Sequence, residues 1–279
     1  MHSADTLRFV KGHGTQNDFV ILPDPDARLD LSPGLVAAIC DRRAGVGADG
    51  VLRVVPAKLC PEAADQADRA EWFMDYRNAD GSLAEMCGNG VRVFARYLVE
   101  AGLAGPGGFG VATRAGVRAV RLGPTGDVTV DMGPPRVFGT SRATVAGREY
   151  AGVCVDVGNP HLACLIEDPV AGLDLTRPPA FDAAVFPEGV NVELVNPAGE
   201  RRVTMRVYER GSGETRSCGT GTVAATVAAA RAAGETTGTW TVEVPGGEVR
   251  VTLEEHTSLL TGPAVLVAEG EIRLAALGG

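Results

Sequence analysis

Cys87-Gly88-Asn89-Gly90 and Cys218-Gly219-Thr220-Gly221 are two copies of one short pattern, set nearly half the chain apart. Each follows a strand-like run and opens a helix-like run, residues 91–100 in the first copy and 222–233 in the second. Each helical run ends at a glycine, Gly102 or Gly234, the residue that most readily takes the left-handed helix C-cap. The likeness extends outward from the cysteines. Met74-Asp75-Tyr76-Arg77 aligns with Met205-Arg206-Val207-Tyr208, and both alternate as strands do. Polar, glycine-containing turns follow, Asn78-Ala79-Asp80-Gly81 and Glu209-Arg210-Gly211-Ser212, and then an acid before each cysteine, Glu85 or Glu214. A looser echo joins Asn17-Asp18-Phe19-Val20-Ile21 to Asn159-Pro160-His161-Leu162-Ala163. A whole domain is therefore repeated, rather than a solenoid unit.

Short β-branched runs at residues 126–132, 152–157, 189–195, 239–244 and 248–253 are separated by Gly and Pro. One long helix per half among many strands predicts an α+β fold of two pseudo-symmetric halves, with the active site in the cleft between them. Gly133-Pro134-Pro135 marks the expected boundary, giving an N-terminal half 1–133 that carries Cys87 and a C-terminal half 134–263 that carries Cys218. The amphipathic run 34–40 places Cys40 in the core. Cys60, Cys154 and Cys164 also read as small buried hydrophobes. Residues 56–71 are rich in Ala, Asp and Glu with no β period, and read as a surface insertion.

Composition narrows the function. A net charge of −9 argues against a nucleic-acid partner, which selects a basic face. The longest apolar stretch, around residues 223–233, is far below the ~20 residues of a membrane span. Residues 1–10 lack a signal-peptide core, so a cytoplasmic location with reduced thiols is expected. No cysteine or histidine spacing matches a zinc site, and no metal is expected.

The two motifs carry chemistry because of where their cysteines stand. The first-turn amides of a helix point outward with the positive end of the dipole, and bind anions. Glycines let a ligand approach that backbone closely. Two such helix starts facing one ligand would offer two thiols and a double set of N–H donors, able to hold an α-carboxylate and the charge that spreads onto it as the α-carbon loses its proton. One thiolate could take the proton and the opposite thiol return one, exchanging roles on reversal. Pyridoxal phosphate, the usual electron sink for this reaction, needs a lysine. The chain has Lys11 and Lys58 alone, so chemistry without a cofactor is expected.

At these residues the chain resembles the diaminopimelate epimerase family over almost its whole length. The resemblance rests on Lys11-Gly12-His13-Gly14-Thr15-Gln16-Asn17-Asp18-Phe19, Asp41-Arg42-Arg43, Gly47-Ala48-Asp49-Gly50, Arg77-Asn78-Ala79-Asp80-Gly81 and Met86-Cys87-Gly88-Asn89-Gly90. The second half adds Gly158-Asn159-Pro160-His161, Gly189-Val190-Asn191-Val192, Tyr208-Glu209-Arg210-Gly211, Gly213-Glu214-Thr215, Ser217-Cys218-Gly219-Thr220-Gly221 and Pro245-Gly246-Gly247. The resemblance implies conversion of L,L-diaminopimelate to the meso isomer without cofactor, on the route to lysine and peptidoglycan. It makes Cys87 and Cys218 the acid/base pair, with His161 and Glu209 influencing their protonation. It gives Gly88, Asn89, Gly219 and Thr220 as donors to the reacting carboxylate. Asn17, Asn78, Asn159 and Asn191, with Glu209 and Arg210, would read the substrate's ammonium and carboxylate groups. It also implies halves that are each a β-barrel-like sheet around a central helix, a last strand within 264–279 returning to the first half, and a homodimer.

Three other readings compete. A proline, hydroxyproline or histidine racemase could use the same thiol pair, although the asparagine set with Glu209 and Arg210 suits a substrate with a second amino-acid head. A thiol-independent isomerase of the phenazine-biosynthesis type would not need both cysteines. A non-catalytic binding protein could join Cys87 to Cys218 as a disulfide.

Overall fold

The structure is a computed structural model and describes residues 6–277. The chain divides into two compact units: one runs to Val130 and takes in the chain from Pro263 on, and the other is Asp131–Gly262.

The first unit contains β1 (Thr6–Gly14), β2 (Asn17–Pro23), α1 (Pro33–Cys40), β3 (Gly50–Pro56), β4 (Trp72–Asn78), α2 (Gly88–Glu100), β5 (Phe109–Ala112), β6 (Arg118–Leu122) and the first half of β7 (Val128–Gly133). The second contains β8 (Arg136–Val145), β9 (Arg148–Asp156), β10 (Pro160–Leu165), β11 (Ala180–Phe181), β12 (Asn191–Gly199), β13 (Arg202–Glu209), β14 (Gly213–Thr215), α3 (Gly219–Ala232), β15 (Gly238–Val244), β16 (Gly247–Leu253) and β17 (Ser258–Gly262). The last strand, β18 (Val265–Arg273), pairs with β1 and so belongs to the first unit.

The repeat is visible in the pairing alone. In the first unit the order β18-β1-β2-β3-β4-β5-β6-β7 is antiparallel except at β2–β3 and β4–β5. In the second the order β8-β9-β10-β12-β13-β15-β16-β17 is antiparallel except at β10–β12 and β13–β15, the same two steps. Each parallel step needs a crossover, and in each unit the second crossover carries the long helix.

Each unit wraps its sheet around that helix, as the resemblance implies. Helix α2 touches β1, β2, β3, β4, β6 and β18, while α3 touches β9, β10, β12, β13, β15, β16 and β17. Helix α3 is enclosed along almost its whole length, and every residue from Gly219 to Ala230 is buried. In α2, Val91, Val93, Phe94 and Leu98 are fully buried, while Asn89, Arg92, Arg96 and Glu100 line one side. Alanine lets α3 sit close to the strands around it. Along β13, Val203, Met205 and Val207 turn inward while Thr204 and Arg206 alternate outward, the period expected of a half-buried strand. No helix among the described residues is long and apolar enough to cross a membrane.

Residues 56–71 lie largely at the surface, as the sequence reading expects, but they also carry a packed face: two 3₁₀ turns, Ala57–Leu59 and Ala64–Gln66, bury Ala57, Cys60, Ala63 and Ala70 against Val55, Phe73 and Ala112. Gln66 donates to the Thr113 carbonyl at 2.9 Å. The segment looked polar because its inward residues are alanines, which give little hydrophobic signal.

Two turns set up the site. Strands β1 and β2 join through Thr15 and Gln16, with φ of +50° and +63°, so a tight two-residue hairpin turn is built without glycine. After β4, Gly81 takes φ +83° and donates to the Asn78 carbonyl at 2.9 Å. A Cβ on Gly81 would lie 2.4 Å from Pro33 Cα, at the start of α1. Gly81→Ala is therefore expected to cost about 2–4 kcal/mol through combined strain and overlap, read as a lower urea midpoint. An unchanged midpoint would show that α1 and this turn can part freely.

Candidate active site

Both motif cysteines occupy the same local position. Cys87 is the N-cap of α2 and Cys218 the N-cap of α3, each with extended backbone. Each Sγ accepts the N–H of the third helical residue, Gly90 or Gly221, at 3.4 Å. The pattern thus uses sulfur where Ser or Asp usually caps a helix. The helices begin at Gly88 and Gly219, so the motif glycines and the residue between them form the first turn.

In the first unit, Cys87 is half-buried and its Sγ donates to Asn17 Oδ1 at 3.6 Å. Asn17 opens β2 directly after the hairpin turn. Its Oδ1 also accepts from Asn89 Nδ2 at 3.2 Å, and its Nδ2 donates to Asp49 Oδ2 at 2.8 Å. Arg92, one helical turn beyond Asn89, is fully buried and donates to Asn89 Oδ1 at 2.5 Å, Thr15 Oγ1 at 3.1 Å and the Pro263 carbonyl at 3.0 Å. Arg42 bridges Asp18 and Asp49 at 2.7 Å each, and Lys11 reaches Asp18 and the Gly47 carbonyl. Burial would raise the Asp18 carboxyl, but the hydrogen bonds from Arg42 and Lys11 outweigh it and hold the group well below the usual range. Asn78 ends β4, with its Nδ2 on Ser82 Oγ at 3.0 Å.

In the second unit, Cys218 is buried, and its Sγ lies 3.5 Å from Thr220 Oγ1. Burial pushes its thiol well above the ordinary value, reinforced by the charges of Glu209 and Glu193 and opposed by Thr220 and the Gly221 N–H. His161 is fully buried on β10, with Nδ1 2.6 Å from Glu193 Oε1 and Nε2 2.9 Å from Asn159 Oδ1. Glu209, at the end of β13, accepts a short hydrogen bond from the Thr215 hydroxyl. Asn191 accepts the Arg210 N–H at 2.8 Å and donates to the Pro160 carbonyl at 3.3 Å. The Arg210 side chain reaches the Glu188 carbonyl at 3.0 Å and lies over Gly189.

The structure thus brings Asn17 and Asn89 to Cys87. Around Cys218 it gathers Thr220 and the charge of Glu209, while Asn159 reaches His161. It also adds residues that the sequence reading passed over: Thr15, Asp49, Arg92 and Glu193. Two had a legible signal. Glu193 is the one acid inside Asn191-Val192-Glu193-Leu194-Val195, and Arg92 is the one charge between Gly88 and Ala95 of a buried helix; a lone charge in an apolar run is rarely idle. Glu193 packs at the first turn of α3, where a Cβ on Gly221 would lie 2.8 Å from its Oε1. That contact, not flexibility, makes the last motif glycine necessary there.

None of the six cysteines is in a disulfide. Cys40, Cys60, Cys154 and Cys164 are buried as expected, and burial pushes Cys40 and Cys164 up to about 12, which removes them as nucleophiles near neutral pH. Among the described residues no group of His, Cys, Asp or Glu side chains could hold a metal ion.

Burial pushes Glu193 up to about 7, opposed by His161 and reinforced by Glu209. Its Oε2 has no hydrogen-bond partner among the described residues, which favours the neutral acid. Between its ordinary 4.5 and about 7, the folded chain keeps a proton that the unfolded chain has released. Stability from this group is thus fully present below 4.5 and is lost as pH rises through about 7. Glu193→Gln stays neutral, so its stability is expected to fall less than that of the parent over this window in urea titrations at several pH values. Parallel curves would contradict this.

The family model for diaminopimelate epimerase matches residues 9–138 and 153–267. The diaminopimelate epimerase of Thermobifida fusca is 60% identical over 275 residues, covering 97% of this chain and 100% of that protein. That of Mycolicibacterium smegmatis is 56% identical over 279 residues, covering 95% of this chain and 96% of that protein. Among solved structures, a probable proline racemase from Agrobacterium radiobacter shares the fold with a TM-score of 0.68 at 15% identity, covering 98% of this chain and 96% of that one. The chain belongs to the diaminopimelate epimerase family.

Proposed function

We propose that this member of the diaminopimelate epimerase family converts L,L-diaminopimelate to meso-diaminopimelate with Cys87 and Cys218 as its two acid/base groups. The observation that carries the reading is the shared N-cap geometry: two cysteines outside any disulfide, each at the first turn of a long helix, in two units of the same strand pairing. One sulfur, as thiolate, takes the α-hydrogen as a proton. The electron pair left on carbon spreads into the α-carboxylate, whose charge suits first-turn N–H groups at Gly88, Asn89, Gly219 and Thr220. The other sulfur, as thiol, delivers a proton to the opposite face, and the two have then exchanged protonation states. Cys218, raised first by burial and then by the charge of Glu209, suits the thiol role before substrate arrives. His161 and Glu209 tune that thiol, the first through Glu193.

The substrate carries an ammonium and a carboxylate at each end. Glu209 and Arg210 are assigned to them, with Asn17, Asn78, Asn159 and Asn191 as further polar contacts. A site built to bond a distal head group discriminates strongly against substrates that lack it, because its polar groups would be left unpaired. Racemases of smaller amino acids share the fold, so fold alone does not select the substrate. Family membership favours diaminopimelate.

The protein is further proposed to act in the cytoplasm as a homodimer. Val265 and Val267 of β18, 44% and 61% exposed, offer an apolar strip suited to a second copy. Light scattering is expected to give the mass of two chains; a one-chain mass would contradict this.

Cys87→Ala and Cys218→Ala are each expected to lower turnover of L,L-diaminopimelate at least about 100-fold, the usual scale for a lost acid or base. Faster turnover of L-proline or L-histidine than of L,L-diaminopimelate by the parent, or full activity in either variant, would overturn the assignment.

A further inference from the structure

Two charged residues in the first unit stand at opposite ends of one run of hydrogen bonds that passes the Cys87 thiol. Arg92 is fully buried, and burial pulls its pKa down to about 10, partly offset by the charges of Cys87 and Asp127, so it remains a cation at neutral pH. A guanidinium can only donate. Asn89 therefore turns Oδ1 toward Arg92, at 2.5 Å, and Nδ2 away from it, to Asn17 Oδ1 at 3.2 Å. Asn17 must then point Nδ2 the other way, and it meets Asp49 Oδ2 at 2.8 Å. A carboxylate can only accept. Asp49 is itself held by Arg42 at 2.7 Å and by the Asp18 N–H at 3.2 Å.

An isolated side-chain amide can turn over, exchanging its oxygen and nitrogen at little cost. Here a donor-only group at one end and an acceptor-only group at the other leave both amides a single sense. The outcome is that an oxygen, Asn17 Oδ1, faces Cys87 Sγ at 3.6 Å. Thr15 is tied in by the same guanidinium at 3.1 Å, which steadies the left-handed turn that delivers Asn17. Nothing equivalent occurs in the other motif: Thr220 stands in place of Asn89, and Val223 in place of Arg92.

We propose that Arg92 and Asp49 are positioning residues for epimerisation, acting through Asn89 and Asn17 to keep an acceptor oxygen on the Cys87 thiol. The proposal rests on the reading of Cys87 as one of the two acid/base groups. An oxygen at that place opposes loss of the sulfur's proton, so the relay sets the basicity of Cys87 as the base that works opposite the Cys218 thiol. If the sense were released, Asn17 could present Nδ2 instead and favour the thiolate.

Asp49→Asn tests this with almost no change of volume: the new amide can turn an N–H toward Asn17, so the acceptor-only end is lost and the sense, held from the Arg92 end alone, is weakened. In the full-length chain, iodoacetamide alkylation of each cysteine is followed against pH by peptide mass spectrometry, with Cys218 as the control in the same sample. The Cys87 midpoint is expected to fall by about one pH unit while that of Cys218 stays in place. In the same variant, kcat for L,L-diaminopimelate is expected to fall roughly tenfold, with KM within about twofold. Arg92→Lys keeps the charge but loses the fork to Thr15 and Asn89, and is expected to shift Cys87 alone in the same direction. A Cys87 midpoint that does not move in Asp49→Asn, or equal shifts at Cys87 and Cys218, overturns the relay. Full activity in Cys87→Ala would instead overturn the reading beneath it.

Discussion

The structure depends on a sulfur atom capping a buried helix. Each long helix is enclosed by its own sheet, so its first-turn N–H groups cannot all turn to bulk water, and buried donors left unmet are costly. The N-cap sulfur meets one of them and thereby fixes the thiol at the helix mouth. Sulfur accepts more weakly than a hydroxyl or carboxylate, which makes cysteine a poor choice for stability alone. Two units making the same choice at the same position is better explained by proton transfer than by folding.

Around this common geometry the two units diverge. Cys87 lies among neutral amides, with a buried arginine behind them. Cys218 is wholly buried and lies near Glu209 and the Glu193–His161 pair. Burial and nearby negative charge act in the same direction on a thiol, both favouring S–H. A two-base epimerase needs one proton between two sulfurs, and unequal surroundings are a physical means of deciding where it rests.

The duplication, the helix starts and the class of fold were legible in the sequence, because glycine and cysteine at a helix start and alternation in a strand are local signals. The parallel steps β2–β3 and β10–β12 were not, since pairing is set by contacts far apart along the chain. The packed face of the largely exposed segment 56–71 was not legible, because it is built mainly from alanine, which gives little hydrophobic signal. Within the site, the asparagines stood out in their motifs. Asp49 sits in the Gly47-Ala48-Asp49-Gly50 motif, but its contact with Asn17 is made just before β3, between segments far apart in the chain, and is not a local signal. Glu193 and Arg92 each carry a signal, a lone charge in an apolar run, but the partners they meet belong to distant parts of the chain and only packing reveals them.

The most direct measurement is α-hydrogen exchange. The reduced protein is incubated with L,L-diaminopimelate in D₂O without added cofactor, and stereochemistry and deuterium content are followed together by chiral chromatography and NMR. The account predicts meso product carrying deuterium at the inverted carbon, because the returned proton comes from a thiol equilibrated with solvent. Meso product that retains the original hydrogen throughout would contradict two-base transfer, and the absence of both exchange and inversion in fully reduced protein would contradict the activity itself.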